Sequence, residues 1–573
     1  MSATKFRKAI ASQLSRITSC PESQLLGLLG TPKTALNQQF NIPIPRLKSQ
    51  RDSVQLSNEL AHKFQPDSLI QEASAKGPFL HFSVRPTEYI RQTLLQVYNE
   101  QSNYGCHTAD KSHIVVLDYS SPNIAKPFHA GHLRSTILGN FVKRIHQAMG
   151  YPVIGINYLG DWGKQYGLLA VGFEKYGDKA LLEKDPIHHL YDVYVKINSD
   201  ITEDVDRQAN EYFRRMEEGD LTVLEQWKRF RDLSISSYKS IYKRLGIEFE
   251  RYSGESETEP YIQPLYDLLQ SKNLINKTAD GAWTVDLSSY DLGSPVVRRA
   301  DGTSLYLTRD LANLILRQSP KKSMYIVGTE QSLYMQQMFK IAELASLATN
   351  MHHVSFGRVQ GMSTRKGTVV FLQDILDTAQ EQMLKNLKEN VTKYNELLTL
   401  GIQKGGQRLV GQEAANLVAD QLGTSAVIVQ DLFANRVKNY SFSYDRMTAA
   451  RGYTGVYLQY THARMCAIER KTNTQITTDC DFSLLKEKEA FELALAVSQF
   501  PDVVKSSYQS MEPCVVVQYL FKLAHTMGQA NSTLRIKDVD PSLAEARMLL
   551  LWAARTTLAN GLKLIGISPL ERI

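Results

Sequence analysis

The 573-residue chain has few cysteines, and none of them is spaced as in a metal site. The five are odd in number and scattered along the chain: Cys20, Cys106, Cys466, Cys480 and Cys514. A disulfide framework needs paired cysteines, and a zinc site needs closely spaced thiolate or imidazole ligands. We therefore expect neither of them, and we expect a reducing compartment.

Long hydrophobic runs are also absent, because no segment approaches the roughly 18 consecutive apolar residues of a membrane-spanning helix. This predicts a protein without a membrane span. Apolar residues make up 43% of the chain and charged residues 22%, the proportions of an ordinary globular protein. The net charge of +7 permits a polyanionic partner without requiring one. At this length we expect about two to four domains.

Acidic residues are missing from the first 21 positions, which carry four cations: Lys5, Arg7, Lys8 and Arg16. The apolar residues of this stretch fall within one narrow arc of a helix: Phe6, Ile10, Leu14 and Ile17. A basic, amphipathic, acid-free start is typical of a mitochondrial transit peptide, here a segment of about residues 1–20. The alternative interpretation is the first helix of a folded N-terminal domain.

Residues 114–163 have the pattern of a strand, a helix and a second strand. The β-branched run 114–117 predicts a buried parallel strand, which the segment SSPN ends. A helix follows, with apolar residues at a spacing of four: Leu133, Ile137, Phe141 and Ile145. Gly150 stands where a left-handed helix cap is favoured, a second strand begins at 153–156, and the segment GDWG (160–163) ends it.

Two histidines begin the predicted helix, in the segment HAGH at residues 129–132. Helix N-termini attract phosphate, because unpaired N–H groups and the helix dipole both point at it. A single histidine is usually a core residue, but His129 and His132 flank Gly131 at a strand-to-helix turn. We therefore predict a nucleotide whose phosphates are attacked or polarised there.

Alternating strands and helices resume after a charged helical stretch at 164–250. We expect strands at 283–287 and 324–327, each followed by a helix, and hence a parallel sheet with ligands at the carboxyl ends of its strands. Asp310, Gln331 and the HAGH loop all follow such strand ends. Residues 22–110 are typical of a small α+β module. From residue 373 the pattern is helical, with a first long helix at 373–398 and a Gly-rich linker at 401–411.

The segment GMSTRKG (361–367) is a glycine-bounded loop with adjacent cations between two strand-like runs. The common structure for such a loop is a hairpin with solvated charges. The functional alternative is a mobile cationic flap that closes over phosphates.

HAGH resembles the HIGH signature of class I aminoacyl-tRNA synthetases, and GMSTRKG resembles their KMSKS loop. Four longer segments resemble arginyl-tRNA synthetases: SSPNIAKPFHAGHLRST, NYLGDWGKQYG, SLYLTRDLA and GYTGVYLQYTHAR. The similarity runs from about residue 111 to the C-terminus, and the basic start is similar to the mitochondrial form. It implies a mitochondrial matrix location, with the cytoplasm as the alternative.

This resemblance implies α/β and all-α domains in one chain. A small α+β tRNA-contacting domain would span 1–110, a Rossmann-like parallel-sheet catalytic domain with a helical insertion 111–372, and an α-helical anticodon-binding bundle 373–573. The implied reaction activates L-arginine with ATP and transfers it to arginine tRNA, and activation would itself need the tRNA. Mg²⁺ is expected with ATP, no protein-held metal site is predicted, and the expected state is a monomer.

The resemblance also implies site residues. The catalytic set is Lys126, His129, His132, Arg365 and Lys366. The ATP-binding set is His129, Gly131, His132, Gly160, Asp161, Gly163, Met362 and Ser363. The arginine-binding set is Ser121, Pro122, Asn123, His132, Glu255, Tyr306, Asp310 and Gln331. The tRNA-binding set is Tyr457, Gln459, Tyr460 and Arg464.

The sequence departs from the family pattern at the second signature, where Gly361 and Thr364 stand in place of two lysines. Lys126, just before HAGH, would take over part of their role. Two other functions stay open: a small-molecule adenylyltransferase with the same βαβ core, and a non-catalytic tRNA-binding relative. The helical tail argues against the first, and the intact signatures argue against the second. The absence of zinc-ligand spacing disfavours the cysteinyl relative.

Overall fold

The computed structural model describes residues 2–30, 39–108, 111, 113–124, 130–317, 322–360, 371–450 and 452–573. Its parts are a small N-terminal α+β domain, a central parallel sheet with inserted helices, and a C-terminal helical bundle.

The N-terminal domain packs helices against a three-stranded antiparallel sheet of order β1-β3-β2. Its strands are β1 (Phe40–Pro43), β2 (Ile70–Lys76) and β3 (Phe79–Val84). Its helices are α1 (Ser2–Thr18), α2 (Glu22–Leu28), α3 (Ser53–Lys63) and α4 (Pro86–Glu100). The predicted α+β character of this region is confirmed.

Helix α1 is part of the core of this domain. Phe6, Ile10 and Leu14 are buried among the side chains of β1, β3 and α4. On its other side, Arg7 forms an ion pair of 2.6 Å with Asp502 of the C-terminal bundle. Of the two interpretations of the basic start, this packing favours the first helix of a folded domain.

The central sheet has five parallel strands in the order β11-β10-β4-β5-β6. The strands are β4 (Val115–Asp118), β5 (Val153–Leu159), β6 (Arg251–Gly254), β10 (Lys322–Tyr325) and β11 (Met351–His353). The chain leaves β4 toward β5 and β6 on one side, and β10 and β11 complete the other side. The strand order therefore reverses beside β4, where ligands of such sheets bind at the carboxyl ends.

Helix α5 (Ala130–Ala148) connects β4 to β5. Its predicted apolar stripe is confirmed, because Leu133, Ile137, Phe141 and Ile145 are all buried. Gly139 lets the helix approach β4, since a Cβ there would lie 2.2 Å from the ring of Tyr119.

Two further groups of elements interrupt the sheet. The helical insertion consists of α6 (Lys164–Tyr176), α7 (Lys179–Lys184), α8 (Pro186–Ser199), α9 (Glu203–Glu217) and α10 (Leu221–Arg244). The second group contains α11 (Glu259–Ser271), β7 (Ile275–Lys277), β8 (Trp283–Val285), β9 (Val296–Arg298), α12 (Tyr306–Leu316) and α13 (Ser332–Leu344). The expectation that 283–287 joins the parallel sheet is wrong, because β8 lies between β7 and β9 in a separate antiparallel sheet.

The C-terminal part is a helical bundle. Its helices are α14 (Leu372–Glu389), α15 (Val391–Leu400), α16 (Gly411–Leu432), α17 (Tyr444–Met447), α18 (Gly455–Thr472), α19 (Lys488–Ser498), α20 (Phe500–Ser510), α21 (Pro513–Thr533) and α22 (Pro541–Leu564). Its short strands are β12 (Val359–Gln360), β13 (Ile402–Lys404), β14 (Gln407–Leu409) and β15 (Tyr440–Ser441).

Two expectations for this region are corrected. The long helix expected at 373–398 is broken at Asn390, whose side chain accepts a hydrogen bond from the Lys393 N–H and so caps α15. The expected linker at 401–411 contains the β13–β14 hairpin. In the described part of the chain, no helix has the length and apolarity of a membrane span.

A buried ion pair joins helix α5, which packs on the central sheet, to the bundle. Arg134 of α5 and Asp431 of α16 are inaccessible to solvent, with Nε and Oδ2 3.6 Å apart. One terminal nitrogen of Arg134 also donates to the carbonyls of Gly357 (2.7 Å) and Lys438 (2.9 Å). Its guanidinium lies 5.0 Å over the ring of Tyr440, whose hydroxyl donates to Asp431. Burial raises the pKa of Asp431 to about 6, although Arg134 acts in the opposite direction.

Replacing Arg134 with Ala leaves the Asp431 carboxylate buried without its cation. We expect Arg134→Ala to lower the free energy of unfolding by about 3–5 kcal/mol, the usual cost of breaking a buried pair. Urea denaturation followed by tryptophan fluorescence measures this loss. Arg207→Ala is the matched control, because Arg207 pairs with Asp204 on the exposed face of α9 and should cost less than about 1 kcal/mol. Equal losses in the two variants would contradict the role given to Arg134.

Candidate active site

Six of the predicted site residues lie outside the described residues. They are Lys126, His129, Met362, Ser363, Arg365 and Lys366. The geometry below concerns the remaining ones.

The turns that end β4 and β5 are hydrogen-bonded to each other. The Gly160 N–H donates to the carbonyl of Pro122 at 3.1 Å, and Asn123 pairs with Gly160 in an isolated parallel bridge. The approach is close, because a Cβ on Gly160 would lie 3.1 Å from Nδ2 of Asn123. Ser121 has a positive φ of 45° and donates through Oγ to Oδ1 of Asp118 at 2.8 Å. The ends of the two neighbouring strands therefore form one connected surface at the carboxyl edge of the sheet.

Gly131 and His132 lie in the first turn of α5, directly past the end of β4. Gly131 is exposed and His132 is half-buried, so both are accessible from the carboxyl edge of the sheet. This is the positive end of the helix dipole, where anions are stabilised.

Asp161 is fully buried, and its carboxylate bonds within the protein. It accepts hydrogen bonds from Nε of Arg231 (2.7 Å), the N–H of Ser256 (2.9 Å) and the hydroxyl of Ser256 (2.8 Å). Gly254 allows this approach, because a Cβ there would lie 2.2 Å from the carboxylate. Asp161 therefore ties the end of β5 to the segment that carries Glu255.

Glu255 follows β6 and is buried at the same edge of the sheet. Its Oε2 accepts a hydrogen bond of 2.8 Å from Arg309. Burial raises the pKa of Glu255 to about 7 against the opposing effect of Arg309, and the negative charges of Asp310 and Asp161 raise it further.

Asp310 lies in α12 and is partly buried. Its Oδ2 accepts a hydrogen bond from the hydroxyl of Tyr334. Burial raises the pKa of Asp310 to about 6, and Asp118 acts in the same direction while Arg317 opposes it. Among the described residues no cation lies within ion-pair distance of its carboxylate, whereas the neighbouring acids do have such partners.

Tyr158 of β5 stands among these acids. Its hydroxyl is buried and has no hydrogen-bond partner among the residues that the structure places. Burial raises the pKa of Tyr158 well above its usual range, with further contributions from Asp310 and Glu255. The hydroxyl can therefore serve a ligand that enters between the two carboxyls.

Two predicted arginine-binding residues lie at the rim of this cluster. Tyr306 begins α12, one turn before Asp310, and 59% of its surface is exposed. Partial burial raises the pKa of Tyr306, and the Glu255 carboxylate acts in the same direction. Gln331 is exposed at the N-terminus of α13.

Asp118 is a member of the cluster that the sequence argument missed. Its Oδ2 accepts a hydrogen bond of 2.5 Å from Arg317, which also lies 5.5 Å over the ring of Tyr158. The available signal was its position, since Asp118 is the last residue of a strand whose carboxyl end was expected to bind ligand. Arg317 is 199 positions away, and no local pattern pairs the two.

Comparison with known proteins agrees with this geometry. The family model "tRNA synthetases class I (R), catalytic domain" matches residues 93–444, and the model "DALR anticodon binding domain" matches residues 458–573. The chain belongs to the arginyl-tRNA synthetase family. The family resemblance and the fold class expected from the sequence are confirmed.

Relatives of this synthetase chain occur in two compartments. A probable cytoplasmic arginine–tRNA ligase of Dictyostelium discoideum is 41% identical, with 99% of this chain and 100% of the relative covered. A probable mitochondrial arginine–tRNA ligase of Mus musculus is 39% identical, with 99% of both chains covered. The solved arginyl-tRNA synthetase of Plasmodium falciparum has the same fold, with a TM-score of 0.79 at 20% identity over 100% of this chain and 98% of that one.

The tRNA-binding residues expected from the synthetase resemblance lie on α18. Tyr457, Tyr460 and Arg464 line a cavity of about 650 Å³, which α15 and the C-terminal residue Ile573 also border. Gln459 is buried instead. Its amide donates to the carbonyl of Ser568 (2.8 Å) and accepts from the N–H of Leu570 (2.8 Å), so it fixes the C-terminal tail on α18.

The described residues also bear on metal binding. No group of three or more His, Cys, Asp or Glu side chains there is arranged to hold a metal ion.

The raised pKa of Asp310 makes the stability of the free protein depend on pH. An acid whose folded pKa is raised stabilises the fold below its unfolded pKa, and this contribution is lost as the pH rises through the folded value of about 6. Asp310→Asn cannot ionise and keeps an acceptor for Tyr334. We therefore expect the thermal midpoint of Asp310→Asn, relative to the wild type, to rise between about pH 5 and pH 8.

Differential scanning calorimetry at both pH values measures this difference. Asp280→Asn is the matched control, because Asp280 is exposed and its hydrogen bond from Thr278 lowers its pKa. Its midpoint difference should stay constant over this range. A constant difference for Asp310→Asn as well would contradict the raised pKa.

Proposed function

We propose that the protein is an arginine–tRNA ligase. It activates L-arginine with ATP to arginyl-adenylate and transfers the arginyl group to the 3′ end of arginine tRNA. The observation that supports this most strongly is Asp310, a partly buried carboxyl without an ion-pair partner among the described residues, at the carboxyl edge of a parallel sheet.

In the proposed arginine site, the positive charge of the substrate would be paired with the one acid of the cluster that has no arginine partner in the part of the chain that the structure describes. Glu255 pairs with Arg309, and Asp118 pairs with Arg317, so the negative charge of Asp310 is left for the substrate. A carboxylate binds a guanidinium best, because two parallel charge-assisted hydrogen bonds match its planar fork. Tyr306 and Gln331 would contact the side chain of the substrate from the rim of the site.

The other end of the amino acid would lie at the turn after β4. Ser121, Pro122 and Asn123 are fixed there by their hydrogen bonds to Asp118 and Gly160, and His132 begins α5 nearby. These groups would hold the α-amino and carboxylate groups of arginine. The carboxylate would then face the α-phosphate of ATP.

The ATP site would follow the start of α5 and the turn after β5. Gly131 leaves room for the nucleotide, and His129 and His132 stabilise the negative charge that grows on the phosphates in the transition state. Gly160 and Gly163 give room for the ribose, and Asp161 holds this turn in place. Mg²⁺ would be bound through the phosphates of ATP, whose charge it neutralises.

The second signature would complete activation. Met362 and Ser363 would lie against the nucleotide, and Arg365 and Lys366 would neutralise the departing pyrophosphate together with Lys126.

The proposed tRNA contacts lie at the two ends of the chain. Residues 1–110 would contact the corner of the tRNA at the D-loop, 111–372 would hold the catalytic site, and 373–573 would bind the anticodon. Tyr457 and Tyr460 are partly exposed aromatics beside a cation, Arg464, an arrangement on which unpaired bases stack. We also propose a monomer, for which light scattering should give the mass of one chain, 64.8 kDa.

Citrulline tests the proposed arginine site, because it replaces the guanidinium with an uncharged urea group. We expect kcat/KM for charging arginine tRNA to favour arginine over citrulline by about 10⁴ or more, since citrulline leaves the Asp310 carboxyl without a cation. Asp310→Asn should reduce kcat/KM for arginine at least about 100-fold, and Asp280→Asn should not change it. Comparable charging of both amino acids by the wild type would contradict the proposal.

Lys126 tests the proposed replacement of the missing second-signature lysines. We expect Lys126→Ala to slow ATP-dependent arginine activation more than Lys366→Ala does, because the departing pyrophosphate loses its main cation. Lys366→Ala should retain part of the activity. Intact activation in Lys126→Ala together with complete loss in Lys366→Ala would reverse the assignment. Activation is measured as the arginine-dependent exchange of pyrophosphate into ATP.

We propose a mitochondrial matrix location. The acid-free, basic and amphipathic start supports it, because the unfolded chain can present this segment for import before α1 packs into the N-terminal domain. Relatives named mitochondrial match along nearly their whole length, as do relatives named cytoplasmic. Fluorescent fusions of residues 1–30 and of the whole chain test it in cells. Both should accumulate in mitochondria, and a purely cytosolic signal would place the protein in the cytoplasm.

A further inference from the structure

A second cavity lies on the bundle, beside the one that Tyr457 and Tyr460 line. Its volume is about 650 Å³, and it is bordered by the end of α15, the β13–β14 hairpin, α16, α18 and the C-terminal tail at 568–572. Both cavities therefore adjoin α15, α18 and the tail. Nothing in the proposed reaction uses the second one.

Three arginines from three separate elements line this cavity. Arg408 comes from β14, Arg470 from the last turn of α18, and Arg572 from the tail. Arg408 and Arg470 are exposed, and Arg572 is half-buried. Within the described ranges, no carboxylate lies within 4.0 Å of any of the three guanidinium groups. The lining also contains one acid, Glu571, whose side chain is exposed.

The three positive charges affect one another. The pKa of Arg572 is lowered first by partial burial and then by Arg470, with a further contribution from Arg408, while Glu396 acts in the opposite direction. Like charges held together cost free energy unless an anion compensates them.

Hydrogen bonds within the protein use only part of the donors. Arg408 donates to the carbonyls of Leu400 (3.0 Å) and Thr399 (3.4 Å). Arg470 donates through both terminal nitrogens to the carbonyl of Glu571 (3.1 Å each). These bonds explain how the hairpin and the tail are fixed. Each guanidinium carries five N–H donors, so several on each side chain are left for a ligand in the cavity.

The charge and donor geometry select an oxyanion. Guanidinium groups bind phosphate through two parallel hydrogen bonds, and they are the preferred cations for RNA backbones. A polynucleotide is favoured over a free anion because the neighbouring cavity offers two tyrosines for base stacking, together with Lys393 and Arg464. An RNA strand whose bases enter that cavity would run along α15, α18 and the C-terminal tail, which border both cavities.

We propose that Arg408, Arg470 and Arg572 bind the phosphodiester backbone of the tRNA, next to the nucleotides held by Tyr457 and Tyr460. This inference rests on the proposed function and adds a phosphate site to it. The three arginines would strengthen tRNA binding without distinguishing one base sequence from another, because the phosphates are the same in every tRNA.

Binding of arginine tRNA at several salt concentrations tests the site. Each phosphate contact contributes about 0.7–0.9 to the slope of log Kd against log salt. We expect the triple variant Arg408→Gln, Arg470→Gln and Arg572→Gln to lower this slope by about two and to weaken binding about tenfold or more near 0.1 M salt. Replacing all three with Lys should keep most of the slope, because the charges remain.

Two further variants distinguish a loss of positive charge from a disturbance of the fold. The double variant Arg408→Gln and Arg572→Gln keeps the bond of Arg470 to the tail, and it should still lower the slope by about one or more. Arg207→Gln is the control for an exposed arginine elsewhere in the chain, with 75% of its side chain accessible, and it should keep the wild-type slope.

An unchanged slope in the triple Gln variant, with tight tRNA binding by the wild type, would overturn the phosphate site and leave the ligase proposal standing. A wild-type protein that neither binds nor charges arginine tRNA would instead refute the proposed function. Inorganic phosphate is the probe for a free anion. Millimolar phosphate binding that the triple variant loses, with its tRNA affinity unchanged, would also overturn the proposal.

Discussion

The buried pair of Arg134 and Asp431 is the contact on which the arrangement of the site depends. Arg134 lies one turn inside the helix that begins with the HAGH signature, and Asp431 lies in α16 of the bundle. The same guanidinium holds the carbonyl of Gly357, a few residues before the second signature begins at Gly361. One desolvated cation therefore connects α5, the chain that leads toward the second signature, and α16 of the bundle. Because an unpaired charge is costly in this environment, the three parts are expected to keep one relative position.

At the carboxyl edge of the sheet, by contrast, one acid has no ion-pair partner among the described residues. Asp161, Glu255 and Asp118 each have an arginine partner, whereas Asp310 has a tyrosine. Burial is the largest cause of the raised pKa values of Asp310 and Glu255, and neighbouring acids act in the same direction. A bound guanidinium would offset both effects, so the site would favour arginine over uncharged analogues.

The spacing of apolar and turn residues predicted those elements of the fold that depend on neighbouring positions in the chain. The apolar spacing of α5 and the turn residues around it predicted the βαβ unit, whereas the pairing of the turns at Asn123 and Gly160 was seen only in the structure. Strand 283–285 was assigned to the wrong sheet, because a short apolar run does not encode the direction of its partners. The break at Asn390 could have been predicted, because asparagine is a common N-capping residue. The partners of Asp118 and Arg134 could not be predicted, since they lie 199 and 297 positions away along the chain.

Dependence of arginine activation on bound tRNA is the most direct sign that the two ends of the molecule act together. The family resemblance implies this dependence, and the buried pair would hold the bundle and the central sheet in the fixed relative position that it requires. The direct measurement is arginine-dependent exchange of pyrophosphate into ATP by the wild-type protein, with and without arginine tRNA. The account predicts rapid exchange with the tRNA and almost none without it. Equally rapid exchange in the absence of tRNA would contradict it.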